Sequence, residues 1–234
     1  MKKQLLALAA LGLLAGAAQA QSSFEGFYGQ LATGYENTTI GSGTVTAQGA
    51  GTSGSGNQNS ASGSNAPLIA GLGYTMMLDK SFSLGLGADY SFFNLNTGTV
   101  TTTPQNKYGD YGNSFGYYFQ VSNRANFYLT PGYAIDKDKL VYLKAGYSME
   151  NIQGKASVGS GATSTSTVCG YILGLGYKQM ITSGFYGFAE ANYMSYSKPN
   201  YTVPYGSSSP GYTATFNPGT PTAYNILAGV GYKF

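Results

Sequence analysis

The feature that most limits how this chain can fold is an alternation of apolar and small or polar residues with a period of two. Residues 224–234, at the end of the chain, show it most clearly. Every second residue counted back from Phe234 is apolar or aromatic, whereas the residues between them are small or polar apart from Leu227. Because the side chains of a β-strand point alternately to its two faces, this segment is predicted to be a strand with one apolar and one wettable face.

The same alternation occurs in seven segments upstream, so the chain contains eight predicted strands. They lie at about residues 24–36, 68–76, 82–93, 126–135, 141–150, 171–178, 185–194 and 224–234. Short polar turns follow the second, fourth and sixth strands, whereas long polar loops are predicted at about residues 37–66, 96–125, 153–168 and 197–223. The end of the second loop is left open, because the aromatic residues 114–121 also fit an upward extension of the fourth strand. This sorting of connections is typical of outer-membrane barrels, in which the short turns are periplasmic and the long loops extracellular. We therefore predict an all-β fold, an eight-stranded antiparallel transmembrane up-and-down β-barrel.

A soluble sheet can show the same alternation, but several properties of the sequence favour a membrane. In four of the predicted strands the apolar face carries aromatic residues eight positions apart, as at Phe27 and Tyr35 or at Tyr224 and Tyr232. This spacing corresponds to about 26 Å along a strand, and in a tilted strand to about 20 Å of height, close to the usual apolar band of about 25 Å. Charged residues make up only 9% of the chain, whereas about 25% is usual in soluble domains. Helical membrane spans are excluded because no apolar run reaches about 18 residues.

Residues 1–20 are predicted to be a secretory signal peptide rather than part of the fold. Two lysines precede a short apolar run, and Ala18 and Ala20 form a small-x-small cleavage site before Gln21. The remaining chain, residues 21–234, has the length of a single barrel domain. Removal of the two lysines lowers the formal net charge from +3 to about +1, so the composition does not favour a nucleic-acid partner.

The residue types that common enzyme mechanisms need are scarce in this chain. It contains no histidine, so a serine or aspartate paired with a histidine base is not available. Its single cysteine, Cys169, cannot form an internal disulfide and has no histidine with which to act as a nucleophile or a zinc ligand. Repeated Gly-x-Gly motifs, such as Gly71-Leu-Gly73, are not followed by a predicted helix, which argues against a nucleotide site. We predict no catalytic, cofactor-binding or metal-binding residues.

The inner faces of the predicted strands combine glycines with a few large and a few charged side chains. An eight-stranded barrel has an interior just wide enough for side chains, and the glycines are expected to make room for Phe93, Tyr142, Tyr186 and Phe188. We therefore expect a filled interior rather than an open pore. Proline cannot donate a ladder hydrogen bond, so a bulge or a lost bond is expected near Pro131.

Charged residues on the inner faces are predicted to form a network, because buried charges are costly unless they are paired. The candidates are Glu36, Asp89, Lys144, Glu150, Lys178, Glu190 and Lys233. We expect Lys144 and Glu190 to belong to one network, with Asp89, Lys178 or Lys233 as further partners. Such a network either fixes the packing of the barrel or acts as a gate or selectivity cluster for small solutes.

Five segments, taken together, resemble the small outer-membrane β-barrel family, the OmpA-like or porin-family eight-stranded proteins. They are LTPGYA at residues 129–134, LVYLKAGY at 140–147, GLGYK at 174–178, FYGFAE at 185–190 and GVGYKF at 229–234. The resemblance covers nearly the whole chain after the signal peptide, and it implies an outer-membrane location in a Gram-negative cell envelope and an interior of paired charges. It also implies that the terminal strand is the signal read by the barrel-insertion machinery, with Tyr224, Val230, Tyr232 and Phe234 as its aromatic or apolar residues.

The resemblance is specific for fold and location but leaves the activity open. We expect a structural or adhesin-like role exercised through the extracellular loops, because loops on a rigid scaffold carry variable function. A narrow porin-like channel for small solutes is the main alternative, and a barrel enzyme is a second one. The expected partners are outer-membrane lipid, the insertion machinery and host or matrix surface molecules, and the protein is expected to be a monomer.

Overall fold

The computed structural model describes residues 23–49, 52–102, 105–106, 115–156, 164–199, 201–204 and 213–234. The predicted signal peptide and its cleavage residues Ala18, Ala20 and Gln21 lie outside this part of the chain. Among the residues described, no helix has the length and apolarity needed to cross a bilayer.

The described chain forms sixteen β-strands. In order they are β1 (Gly26–Ile40), β2 (Gly43–Gly49), β3 (Thr52–Gln58), β4 (Ala61–Asn65), β5 (Leu68–Met77), β6 (Phe82–Ser91), β7 (Leu95–Asn96), β8 (Val100–Thr102), β9 (Gln105–Asn106), β10 (Phe115–Asp136), β11 (Lys139–Ala156), β12 (Ser164–Met180), β13 (Phe185–Tyr196), β14 (Tyr201–Pro204), β15 (Thr213–Asn217) and β16 (Pro221–Lys233). The eight strands predicted from the sequence correspond to β1, β5, β6, β10, β11, β12, β13 and β16.

These eight strands form a closed antiparallel ring. Each pairs with its neighbour in the chain order, and β16 pairs with β1 to complete the circle. Following paired Cα positions once around the ring from Asn37 leads back to β1 at Phe27, ten residues from the start. A stagger of this kind accompanies the strand tilt of about 35–45° that closed barrels require. The ring leaves none of its strands with an unpaired edge, which is the condition for β-structure in hydrocarbon.

The outer face of the ring is an apolar belt between two rings of aromatic side chains. Leu72 and Leu86, in the middle of the belt, are 68% and 63% exposed. The upper ring consists of tyrosines: Tyr35, Tyr90, Tyr147, Tyr171, Tyr193 and Tyr224. The lower ring consists of Phe27, Tyr74, Phe82, Tyr133, Tyr177, Phe185 and Tyr232, with edge-to-face contacts such as the 4.8 Å approach of Phe185 and Tyr232. Aromatic rings at both boundaries of an apolar belt are the arrangement expected at a bilayer interface.

Short turns join the strands at the lower end of the barrel. In the turn between β5 and β6, the Asp79 carboxylate accepts hydrogen bonds of 2.7 Å from the backbone N–H groups of Phe82 and Ser81, and these bonds lower its pKa. In the turn between β10 and β11, the Lys139 ammonium donates to Asp136 at 2.7 Å and lowers the pKa of that carboxyl. Local bonds of this kind stabilise tight polar turns.

Strand β10 contains the irregularities of the barrel. Its ladder to β11 omits Thr130 and Pro131 and resumes at Gly132 in the same register, which is the lost bond expected at the proline. Bulges lie elsewhere, between Ser122 and Ala125 and between Ala134 and Asp136. Within the first of these bulges, Asn123 has a positive φ of 53°. The bulge turns the residues above it to the opposite face, so Val121 and Arg124 both point inward.

The interior is packed along its length in the described structure, apart from a small cavity near its lower end. A lower apolar core of Phe24, Ala134 and Leu140 lies near the turns. Polar and aromatic side chains fill the middle, and an upper apolar core occupies the opposite end. This upper apolar core consists of Ile40, Ala61, Leu95, Val100, Tyr117, Phe119, Val121, Ile152, Val168, Ile172, Met194, Tyr196 and Ala223.

Glycines make room for the large inward side chains, as the sequence predicted for three of the four. A Cβ added at Gly176 would overlap the ring of Tyr142, and one at Gly231 or Gly229 would overlap Tyr186 or Phe188. The prediction that Phe93 also points inward is wrong, because this residue follows the end of β6 in a bend and is 55% exposed.

Regular structure continues above the upper aromatic ring, in segments that the sequence indicates only as polar loops. Strand β4 pairs with the upper part of β1, and β7 and β8 pair with the upper part of β10. A second, five-stranded sheet has the order β14-β15-β2-β3-β9, and we call it the extracellular sheet. It continues the barrel wall, because β1 leads into β2 and β15 leads into β16 through two close glycines, with Gly219 N donating to Gly41 O at 3.0 Å.

The glycine packing gives a direct test of the interior. Replacing Gly176 by alanine places a methyl group in the space of the Tyr142 ring and is expected to lower the free energy of unfolding by about 1–3 kcal/mol. The matched control is Gly29→Ala, since the nearest atom to a Cβ there, from Phe234, is 4.0 Å away. Thermal or urea unfolding in detergent measures both variants, and equal stability of the two would contradict the packing described here.

Candidate functional site

A lysine held between two carboxylates occupies the middle of the barrel. Lys144 Nζ on β11 donates to Asp89 Oδ2 on β6 at 2.9 Å and to Glu190 Oε1 on β13 at 2.8 Å. The Lys144 side chain is only 2% exposed, and its ammonium also lies 4.0 Å from the centre of the Tyr128 ring. Tyr142 donates its hydroxyl to Glu190 Oε2 at 2.8 Å. One ammonium therefore links three strands that are far apart in the sequence.

Asparagines extend this centre upward. Asn192 donates to Glu190 Oε1 at 2.8 Å and to Asn225 Oδ1 at 2.9 Å. Asn225 in turn donates to Glu36 Oε2 at 3.2 Å. On the other side of the barrel, Asn126 donates to Asp89 Oδ1 at 2.6 Å. Asn126 and Asn225 satisfy carboxylate oxygens that the lysine does not reach, whereas Asn192 shares Glu190 Oε1 with it.

An arginine forms a second ionic centre at the upper end of this chain of bonds. Arg124 Nη1 forms an ion pair with Glu36 Oε2, and Arg124 Nε donates to Glu150 Oε2 at 2.8 Å. Its Nη2 also donates to Thr38 Oγ1 at 3.3 Å. Arg124 was not among the residues predicted from the sequence, because the fourth predicted strand began at Asn126. The signal was present, since Arg124 has the same parity as the inward residues Asn126 and Tyr128.

The two remaining predicted charges lie lower in the barrel. The Lys178 ammonium is surrounded by aromatic faces, 4.2 Å from the ring centre of Tyr28, 5.1 Å from Tyr186 and 5.2 Å from Tyr142. Among the described residues, no carboxylate lies within 4 Å of it. It lines a cavity of about 10 Å³ together with Lys233, which is enough for about one water molecule. The structure therefore brings Lys144, Asp89, Glu190 and Glu36 into one network and places Lys178 and Lys233 below it.

The network suits mechanical and electrostatic cohesion better than chemistry. It contains no nucleophile paired with a base, and in the described segments no group of His, Cys, Asp and Glu side chains is arranged to hold a metal. Its polar groups lie between the lower and upper apolar cores, so they do not line an open path.

The four residues of the predicted insertion signal share the outer face of the barrel wall. Tyr224, Val230 and Tyr232 on β16 and Phe234 at its end are all exposed, Phe234 by 77%. Phe234 N donates to Phe27 O at 2.9 Å, which fixes the end of the chain against β1.

The chain is similar to known outer-membrane proteins in both sequence and fold. The outer membrane protein beta-barrel domain family matches residues 6–234. The outer membrane protein OprG from Pseudomonas aeruginosa shares 13% identity at a TM-score of 0.53, over 92% of this chain and 99% of OprG. The outer membrane protease OmpT from Escherichia coli shares 11% identity at a TM-score of 0.50, over 93% of this chain and 99% of OmpT. A comparison with curated proteins found no significant match.

The lysine centre predicts an order of effects on stability. Glu190→Gln leaves Lys144 with Asp89, whereas Lys144→Met leaves two buried carboxylates without their cation and is expected to be the more damaging change. Removing one partner of a buried ion pair costs about 3–5 kcal/mol, which applies most directly to Lys144→Met.

The control for this prediction is Lys139→Met in the exposed pair with Asp136, which is expected to leave the unfolding midpoint unchanged. Thermal unfolding in detergent, followed by circular dichroism, compares the three variants. A midpoint of Lys144→Met equal to that of the control would contradict a stabilising role for the centre.

Proposed function

This chain belongs to the outer membrane protein beta-barrel family, and we propose that it acts as a surface scaffold whose extracellular part makes the functional contacts. It is an integral protein of the outer membrane, with its short turns on the periplasmic side and its long connections on the extracellular side. The functional contacts are made by the segments above the upper aromatic ring, and the barrel wall anchors them in the membrane.

The main support for this proposal is the packing of the upper apolar core. It fills the extracellular end of the barrel with buried side chains such as Phe119 and Ile152, which are 1% and 0% exposed. Ions do not enter a packed apolar region at an appreciable rate because desolvating a charge is costly. A barrel closed in this way favours a role outside the lumen.

The extracellular region also has the order that a binding surface needs. Its strands pair with one another and with the barrel wall, and Phe216 of the extracellular sheet packs 5.1 Å from the ring of Tyr117 in the upper apolar core. A rigid surface loses less conformational entropy on binding than a flexible loop does. We propose host or matrix surface molecules as its partners, in addition to outer-membrane lipid and the insertion machinery, and a monomeric state.

A narrow channel for small solutes is the second candidate. The cavity beside Lys178 and Lys233 in the lower interior has room for about one water molecule. This is the one observation that favours a path for solutes. The polar network above it would have to separate, and the upper apolar core would have to move aside, before an ion could pass.

We propose that the protein is not an enzyme. OmpT is an outer membrane protease, but an identity of 11% shows a shared fold alone. The chain contains no histidine that could serve as a general base.

Planar-bilayer recording distinguishes the scaffold from the channel. The purified full-length protein is expected to give no stable, reproducible conductance, because both ends of the lumen are packed. Recording from the Lys144→Met variant tests whether loss of the central ion pairs opens a conducting path through the barrel. Uniform conductance steps from the unmodified protein would contradict the scaffold proposal and support the channel.

Cell adherence tests the surface role. Cells that produce the protein are expected to adhere to immobilised matrix proteins or mucin more strongly than cells that lack it. Replacing residues 43–58 by a short Gly-Ser linker should remove the gain, whereas Lys139→Met in a periplasmic turn should keep it. Adherence that does not depend on the protein would contradict the proposed role.

A further inference from the structure

The outward face of the extracellular sheet is a regular array of hydroxyl and amide side chains. Thr215, Thr46 and Ser55 lie directly opposite one another across β15, β2 and β3. Asn217, Thr44 and Asn57 form the next row, and Gln48 lies opposite Ser53 on the other side. Six of these eight side chains are exposed, and Thr46 and Thr215 are half-buried.

The opposite face of the same sheet packs on the upper apolar core, which fixes the direction of the array. Val45 lies between Thr44 and Thr46 in the sequence and is fully buried. Phe216, the cross-strand partner of Val45, packs against Tyr117 in the upper apolar core. Because alternate residues of a strand point to opposite faces, burial of Val45 and Phe216 turns the hydroxyl and amide array away from the upper apolar core.

The array carries no charge. None of the strands β2, β3, β9, β14 and β15 contains Asp, Glu, Lys or Arg. A polyanion or a nucleic acid would therefore find no opposite charge on it. An apolar partner would remove water from the hydroxyl and amide groups and offer no hydrogen bonds in place of those lost, which is unfavourable.

The spacing of the array suits a ligand that presents many hydroxyl groups. Neighbouring strands lie about 4.8 Å apart, and alternate residues along a strand lie about 6.7 Å apart. Hydroxyl and amide groups both donate and accept hydrogen bonds, as sugar hydroxyls do. Each such bond replaces one with water and contributes little by itself, so useful affinity requires many contacts along one molecule.

We propose that the outward face of the extracellular sheet binds a neutral polysaccharide. The inference rests on the proposed surface role and specifies its ligand as an uncharged, polyhydroxylated polymer that lies across β15, β2 and β3. Many copies of the protein on one cell would bind one polymer together, so modest contacts at each copy add up to firm attachment.

Binding by the full-length protein in lipid nanodiscs tests this inference. The neutral probes are dextran, mannan and hydroxyethylcellulose, and alginate serves as the polyanionic comparison. At least one neutral polymer is expected to bind, with an apparent Kd that changes less than about twofold between low and high salt, because screening acts on charges alone. Alginate is expected not to bind.

A pair of double variants separates the array from the rest of the surface. Thr44→Val with Thr46→Val removes two hydroxyls from the array while keeping the β-branched shape, and it is expected to weaken binding about tenfold or more. Thr165→Val with Thr167→Val is the matched control, since these exposed threonines have the same spacing on β12 in the barrel wall. Circular dichroism melts of both variants establish that the barrel remains folded.

Three results would overturn the inference: no binding of any neutral polymer, binding of alginate that high salt abolishes, or equal losses in the two double variants. Cell adherence separates this failure from failure of the proposed function. If protein-dependent adherence persists while all neutral polymers fail to bind, the surface role stands and the polysaccharide is the wrong ligand. If adherence also fails, both proposals are wrong.

Discussion

The structure depends on one constraint, that a backbone in hydrocarbon must make all its hydrogen bonds with itself. Eight strands meet this constraint by closing into a ring through the pairing of β16 with β1. Closure fixes the stagger of the strands, and the stagger fixes a lumen that is narrow enough for side chains to fill. The alternation of residue types follows from the same geometry, since one face of every strand meets lipid and the other meets the lumen.

The lumen shows how a narrow barrel can hold charges without a path through it. Lys144 and Arg124 each contact two carboxylates, and the asparagines Asn192 and Asn225 connect the two centres. Breaking any one contact would leave a buried group with an incomplete set of partners, so the network acts as a unit. Apolar cores above and below keep water from competing for its bonds. The interior therefore stabilises the barrel, and the specificity of binding is proposed to lie in the extracellular surface.

The sequence predicted the features that depend on the residues within one strand. It did not predict the features that depend on pairing between segments far apart in the chain. Period-two alternation was enough for the eight barrel strands, their faces and the inward positions of Lys144 and Glu190. It did not reveal Arg124, because the fourth strand was predicted to begin at Asn126, two residues further along the chain. The bulge at Asn123 changes the parity only of the part of β10 above Arg124. The extracellular sheet was also missed, since β2 and β15 are separated by most of the chain. Their Thr-, Ser- and Gly-rich composition is also typical of loops.

The glycine junction between the barrel and the extracellular sheet has a mechanical consequence. Strands β2 and β15 continue into β1 and β16, which form the seam that closes the ring. A pull on the sheet from outside the cell is therefore transmitted lengthwise along these two strands. Because β1 and β16 are pulled from the same end, they move together, and the tension loads in shear the ladders that join them to β5 and β13. Antiparallel ladder bonds run perpendicular to the strands, so many of them would bear this load at once rather than opening one after another. The two strands that close the barrel are thus also the ones that would pass the load to the rest of the wall.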